Sequence, residues 1–249
     1  MNNELSLKGK IALVTGAGGG IGSAIVERLI AAGARVALHY HSSEERVLQL
    51  QKLYGDDRCY LSRADFTDST SVDKLFNDVW SWQHRIDILV NNAAFIEPVT
   101  SIDDISEQDL NKMMQVNFIV PFLLTKMVLK KMNNEGYGRI TSISSIAVKY
   151  GGSPQMAHYM ASKAALEAGT LALAKHAANS GVLVNIVRAG VTKTFAHQRI
   201  GRDDLSARES LIPLGRAADP SEIAEVVAFL VSPLNTYMTG AIVPVAGGE

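Results

Sequence analysis

Short runs of purely apolar residues alternate along this chain with longer stretches in which apolar side chains recur every three or four positions. Residues 11–14, 35–39, 59–61, 86–90, 139–143, 182–187 and 241–245 are mainly of the first kind, and their apolar character predicts strands buried on both faces of a parallel sheet. Residues 21–32, 42–53, 69–82, 107–132, 158–179 and 223–231 are of the second kind, and their spacing predicts helices. Local signals agree with that division. Gly33 follows the first helix as a C-cap, Ser42 and Glu45 have capping-box spacing, and Asp219, Pro220 and Glu222 supply an N-cap, a first-turn proline and an acidic third position. Pro121 falls inside the longest helix and predicts a kink or a local adjustment there. Alternation with short connections, and no repeat or linker, predicts one α/β domain of about seven strands flanked by helices over 1–249.

Composition narrows the partners. The 249 residues carry a net charge of −1, are 47% hydrophobic and 20% charged, which is ordinary for a soluble globular protein. Such a balance argues against a nucleic-acid binder held by phosphate neutralisation. The polar first ten residues do not resemble a signal peptide, and uncharged apolar stretches such as 226–231 are far short of the ~20 residues that span a bilayer, so no membrane partner is expected. A single cysteine, Cys59, excludes an internal disulfide and fits a reducing, cytoplasmic setting.

Two motifs carry chemistry. Between the first strand and first helix lies Thr15-Gly16-Ala17-Gly18-Gly19-Gly20-Ile21-Gly22. Glycines there permit a tight turn, close approach of backbone N–H groups to a pyrophosphate and close helix–strand packing, while the helix N-terminus favours the anion. The loop is not a Walker P-loop, because no Lys-Ser/Thr follows its last glycine. Farther on, Tyr159 and Lys163 stand four residues apart on one helix face, and Ser144 and Ser145 end the strand that precedes them. A tyrosine ordinarily titrates near 10, and a cation one turn away favours its phenolate. Asn117 is unusual in mid-helix, and Asn91 to Ala94 follows the fourth strand.

With these motifs in order over essentially the whole chain, together with Asp65-Phe66 and Gly190 to Thr194, the sequence resembles the short-chain dehydrogenase/reductase family, ~250-residue oxidoreductases with a Rossmann-type doubly wound parallel sheet. The resemblance implies a carbonyl–alcohol interconversion by hydride transfer, with Tyr159 as general acid in reduction and base in oxidation. Lys163 would lower the tyrosine pKa and bond the nicotinamide ribose, Ser145 would hold the substrate oxygen, and Asn117 would anchor a water leading to solvent. Ser144 is the alternative to Ser145, with a strand-end hydrogen bond as its plain role. For the cofactor, the resemblance implies Gly16, Gly18, Gly20, Ile21 and Gly22 at the pyrophosphate. Asp65 and Phe66 fall at the adenine, Asn91 and Ala93 along the adenosine, and Gly190, Thr192 and Thr194 at the carboxamide, beside Tyr159 and Lys163. Four positions depart from the family pattern: Ala189 before Gly190, Ala94, Ala246 and the absence of a basic residue in the glycine loop.

At the end of the second strand, Tyr40-His41-Ser42-Ser43 contains no acid to bond ribose hydroxyls. Ser42, Ser43 and the helix they start, with His41 beside them, suit a 2′-phosphate, so NADP(H) is favoured over NAD(H), although Glu44 and Glu45 oppose it. Phe95, Val148, Met156 and Phe195 are expected to line an apolar substrate pocket beneath a lid over 191–216, which carries five basic and three acidic residues. His39 and His41 lack a third ligand, so no metal is expected. Small residues along the Tyr159 helix allow close contact across a two-fold axis, and the family adds a homotetramer. The expected partner is a small carbonyl or alcohol. The enzymatic alternative is a 3-oxoacyl-thioester reductase, against which Asn133 to Tyr137 offers no basic patch for an acidic carrier. The alternative from another class, a non-catalytic dinucleotide sensor, predicts loss of the catalytic set, which is intact.

Overall fold

The computed structural model describes residues 5–132, 136–194 and 204–249. Seven strands, β1 Ile11–Val14, β2 Arg35–Tyr40, β3 Cys59–Arg63, β4 Ile88–Asn91, β5 Gly138–Ser145, β6 Val182–Ala189 and β7 Ile242–Val245, form one sheet in the order β3-β2-β1-β4-β5-β6-β7. All neighbours are parallel. Chain order reverses between β1 and β4, and ligands of open α/β sheets bind outside the carboxyl ends of strands at such a reversal.

Helices α1 Gly20–Ala31, α2 Glu44–Tyr54, α3 Ser71–Gln83, α4 Glu107–Met114, α5 Val120–Met132, α6 Ala157–Ala177, α7 Ser206–Glu209 and α8 Pro220–Val231 complete the described chain. One core joins α1 and α8 to the sheet through Ile25, Leu29, Val227 and Leu230, and the other joins α3, α5 and α6 through Leu75, Leu124, Val128 and Leu173. Every residue of β1 is buried, as a strand covered on both faces requires.

Three local expectations meet the structure differently. Asp219 and Glu222 cap α8 as the spacing predicts, the Asp219 carboxylate accepting from Ser221 N at 2.9 Å and Glu222 from Asp219 N at 2.8 Å. The Ser42–Glu45 capping box does not form. Ser43 is the N-cap of α2 without a side-chain bond, Tyr40 donates to Glu44 at 3.0 Å, and Gln49 donates to Glu45 at 3.3 Å. The long helix expected over 107–132 is interrupted by a π-turn at Gln115–Ile119, centred on Asn117. Pro121 has no N–H for the Asn117 carbonyl four residues earlier, so an α-helical ladder cannot run through this point and the chain inserts a wider turn. By length and composition, Glu107–Met132 is long and apolar enough to cross a membrane, yet half of its 18-residue apolar window is buried inside the fold. Cys59, the first residue of the edge strand, is 1% exposed, and burial pushes its thiol up to about 11.

Candidate active site

The carboxyl ends of the central strands open on a cleft of about 2090 Å³. Pockets for one drug-sized ligand run to roughly 1,000 Å³, so this cleft has room for a dinucleotide and a substrate together.

One half of the cleft is made of backbone. Gly16 has φ +65°, and a Cβ on it would stand 2.8 Å from Ala93 Cα. A Cβ on Gly18 would meet Ser43 Cβ at 2.5 Å, one on Gly20 would meet Thr194 Cγ2 at 2.6 Å, and one on Gly22 would strike the Gly16 carbonyl at 2.1 Å. The loops after β2 and β6 therefore close over the glycine turn as only glycine allows. Helix α1 begins behind it with Gly19 as N-cap, no side-chain cap and no acidic residue in its first turn. Its unsatisfied N–H groups and the missing side chains fit the diphosphate of a dinucleotide.

His39 braces that half. Its Nδ1 accepts from Gly16 N at 3.1 Å, its Nε2 donates to the Ala64 carbonyl at 3.1 Å, and its ring stacks on Phe66 at 4.2 Å. Burial holds its pKa near 4, so it is neutral and keeps this bonding pattern at neutral pH. Asp65 lines the cleft beside it. A bond from the Thr67 backbone holds its carboxyl below the ordinary range, and His41 lies 3.5 Å away. At the end of β2 the cleft is lined by His41, Ser42, Ser43 and Arg46, and Arg46 also contacts Glu27 at 3.1 Å.

The other half is made of side chains from β5 and α6. Lys163, 2% exposed, donates through Nζ to the Ile143 carbonyl at 2.9 Å and lies 5.9 Å from the centre of the Tyr159 ring. Burial pulls its ammonium down to about 8, opposed by the Glu167 carboxylate one turn along, and burial pushes the Tyr159 phenol up to about 12. Ser145 Oγ accepts from Ala147 N at 3.2 Å, which leaves its proton free to be donated. Ser144 takes the strand-end role, donating to Glu167 at 2.7 Å. Asn117 is wholly buried and reaches no part of the cleft lining. Its side chain accepts from Phe95 N at 2.7 Å and donates to Phe95 O at 2.9 Å and Ser162 Oγ at 3.0 Å, tying the segment after β4 to α6.

Ser145, Tyr159 and Lys163 thus meet in one cleft with Ile21, Asp65, Phe66, Ala93, Gly190, Thr192, Thr194 and the glycine turn, and Phe95 and Met156 line its substrate end. Besides Asn117, three expected residues stay outside it. The Tyr40 side chain is 8% exposed and packed in the core on the opposite face of β2 from His39. Asn91 turns into the protein to donate to Thr125 at 2.9 Å, while its neighbour Asn92 lines the cleft and holds the Thr15 carbonyl at 2.9 Å. Val148 lies in the turn after β5 and does not line the cleft, whereas Ala147 and Tyr150 do. Phe195 lies outside the described residues, as does 195–203 of the expected lid. The described lid residues Ala207, Arg208 and Leu211 line the cleft, and Arg208 is ion-paired with Glu249. Sequence reasoning did not single out His39, Arg46, Glu167 or Arg188 for the site. The parity of β2 was a usable signal for His39, since it lies on the opposite face from the core residues Leu38 and Tyr40.

Known proteins give the same picture. Residues 16–249 match the family model described as enoyl-(acyl carrier protein) reductase. The chain is 35% identical over 248 residues to the 3-oxoacyl-[acyl-carrier-protein] reductase FabG of Aquifex aeolicus, covering 98% of this chain and 99% of the relative. It is 34% identical to the enzyme of the same name from Vibrio cholerae, with 98% of each chain covered. Among solved structures, a blue fluorescent protein from a metagenomic library, in complex with NADPH, superposes with a TM-score of 0.90 at 31% identity over 98% of each chain. Pseudomonas aeruginosa RhlG, in an NADP active-site complex, gives 0.90 at 31% over 100% of this chain and 99% of that one. With a parallel seven-stranded sheet, a glycine turn at its reversal point and relatives matched end to end, the chain belongs to the short-chain dehydrogenase/reductase family of NAD(P)-dependent oxidoreductases.

Proposed function

We propose that the protein interconverts a small carbonyl compound and its secondary alcohol, with NADP(H) preferred. The observation that carries this reading is the convergence of Ser145, Tyr159 and buried Lys163 on the cleft that holds the glycine turn. In reduction, Ser145 donates its hydroxyl proton in a hydrogen bond to the substrate carbonyl oxygen and orients it. Tyr159 transfers its phenolic proton to that oxygen as negative charge develops there. Lys163, held by the Ile143 carbonyl, presents a positive charge that stabilises the phenolate left behind and would hold the cofactor ribose. Asn117 holds the Phe95 segment and α6 at a fixed spacing. The nicotinamide cofactor, when bound, supplies the hydride in reduction and takes it in oxidation.

The preference for NADP(H) is supported by His41, Ser42, Ser43 and Arg46 around the uncapped start of α2, and by the NADP and NADPH named for the structural relatives. A 3-oxoacyl thioester is the second substrate reading, favoured by the name of the Aquifex and Vibrio relatives. Residues 191–216 act as the substrate lid, and the chain works as a cytoplasmic homotetramer. Support for assembly comes from Ala161, Ala164, Ala168 and Ala172 exposed along α6, and from Ile119 and Leu123 exposed near α5.

A panel of ketones, sugars, steroids and acyl thioesters, assayed with both cofactors by nicotinamide absorbance, tests the reading. The expected result is turnover of at least one class with NADPH, abolished by Tyr159→Phe. Turnover undiminished in that variant overturns the mechanism, tighter binding of NADH than NADPH overturns the cofactor preference, and an acyl thioester as best substrate selects the second reading.

A further inference from the structure

Directly behind the catalytic residues, a buried carboxylate joins three elements. Glu167 on α6 has a 7% exposed side chain and accepts from Arg188 of β6 at 2.8 Å (Nε) and 2.7 Å (Nη2), and from Ser144 of β5 at 2.7 Å. Burying a charge is costly even when it is paired, and an apolar side chain of similar size fastens a helix to a sheet without that cost. The position of the pair gives it a use. Tyr159, Lys163 and Glu167 follow at four-residue steps on one face of α6, Ser144 adjoins Ser145, and Arg188 stands two residues before Gly190.

We propose that Glu167 is a positioning residue for the carbonyl–alcohol reaction: its carboxylate keeps the Lys163 ammonium charged in the dry interior, and Arg188 sets how much of that negative charge the lysine feels. The inference rests on the reductase reading given above. Both of its partners act on the same centre. Through Ser144 the carboxylate fixes the residue adjoining Ser145, and through Arg188 it fixes the strand that leads to Gly190 and Thr192.

Few other charges compete. Among the described residues, Lys163 one turn away on α6 and Arg188 on β6 are the titratable groups nearest Glu167, with Tyr159 two turns away, while β5 presents the neutral Ser142 and Ser144 and the π-turn presents Asn117. On the remaining elements against α6, Lys112 pairs with Glu97, Lys126 and Lys149 are exposed, and Asp109 caps its own helix.

The signs follow from charge alone. Removing a negative charge favours loss of a proton from Lys163 and from Tyr159, and removing a positive charge favours its retention. Glu167→Gln therefore moves the Lys163 titration, followed by side-chain nitrogen NMR and assigned with Lys163→Arg, down by about one pH unit. The alkaline limb of the kcat/KM profile for reduction moves down with it. Arg188→Gln moves both upward, and Glu167→Asp returns them close to wild type. An unchanged Lys163 midpoint in the folded variants, with only the Tm lowered, overturns the proposal and leaves Glu167 as a brace. If Glu167→Gln does not fold, the upward shift in Arg188→Gln decides alone. A wild-type protein that turns over no carbonyl with either cofactor overturns the reductase reading, while the NMR midpoints still decide the role of Glu167.

Discussion

The two halves of the cleft are built on opposite principles. On the side of β1, β2 and β3 the site is a shape, defined by atoms that are missing from Gly16, Gly18, Gly20 and Gly22 and by N–H groups at the start of α1. On the side of β5 and α6 it is a set of buried side chains, where burial drives Lys163 down to about 8 and the Tyr159 phenol up to about 12. A phosphate needs donors held still, which backbone supplies without titrating. Proton transfer needs groups whose protonation is balanced, which only low-dielectric surroundings and chosen neighbours provide. Binding and chemistry are therefore separable by substitution.

The sharpest test of that separation is Tyr159→Phe, expected to lower kcat by about 10³ while dinucleotide affinity is kept, as the loss of one general acid implies. Stopped-flow turnover and fluorescence titration of NADPH measure the two, and a parallel loss of binding breaks the comparison. Next in size is Gly22→Ala. Its methyl group would overlap the Gly16 carbonyl, so calorimetry should find binding weakened about tenfold or more and stability reduced by about 1–3 kcal/mol. His39→Ala should raise the dinucleotide Kd by about fivefold with kcat unchanged, because the Gly16 N–H loses its buried acceptor. The native histidine also makes stability sensitive to acid. Its folded pKa near 4 lies below the ordinary 6.5, so stability is fully present above 6.5 and is lost as pH falls through about 4. Thermal melts across that window should flatten in the variant. Smallest is Ser43→Ala, expected to weaken NADPH by about fivefold and NADH not at all, since one hydroxyl to a phosphate is worth on the order of 1 kcal/mol. Equal weakening of both cofactors would remove the 2′-phosphate from the end of β2.

The alternation of strands and helices, the sheet class and the glycine turn were legible in the sequence because each rests on short-range periodicity or on a residue type with one strong physical use. The Tyr159–Lys163 pair was legible for the same reason, four residues being one helical turn. Side-chain direction at strand ends was less so. Asn91 and Asn92 are adjacent and alike, and only the pleat sends one to Thr125 and the other to the cleft. Tyr40 points inward because the pleat puts it on the face of Val36 and Leu38, opposite His39, and its hydroxyl donates to Glu44. Glu167 and Arg188 lie 21 positions apart, and their meeting depends on how α6 crosses β6, which no local pattern encodes. Asn117 shows both sides: its oddness in a helix was visible, while its bonds to Phe95 and Ser162 needed the tertiary structure.

Cys59 gives the molecule a built-in reporter. It is shielded, held protonated and paired in register with Val36 at the outer strand. A thiol reagent therefore modifies it only when β3 separates from β2, a local opening on the side of the glycine turn. Labelling rates with and without dinucleotide then measure how far ligand occupancy clamps that border of the sheet, in molecules whose catalytic side stays folded.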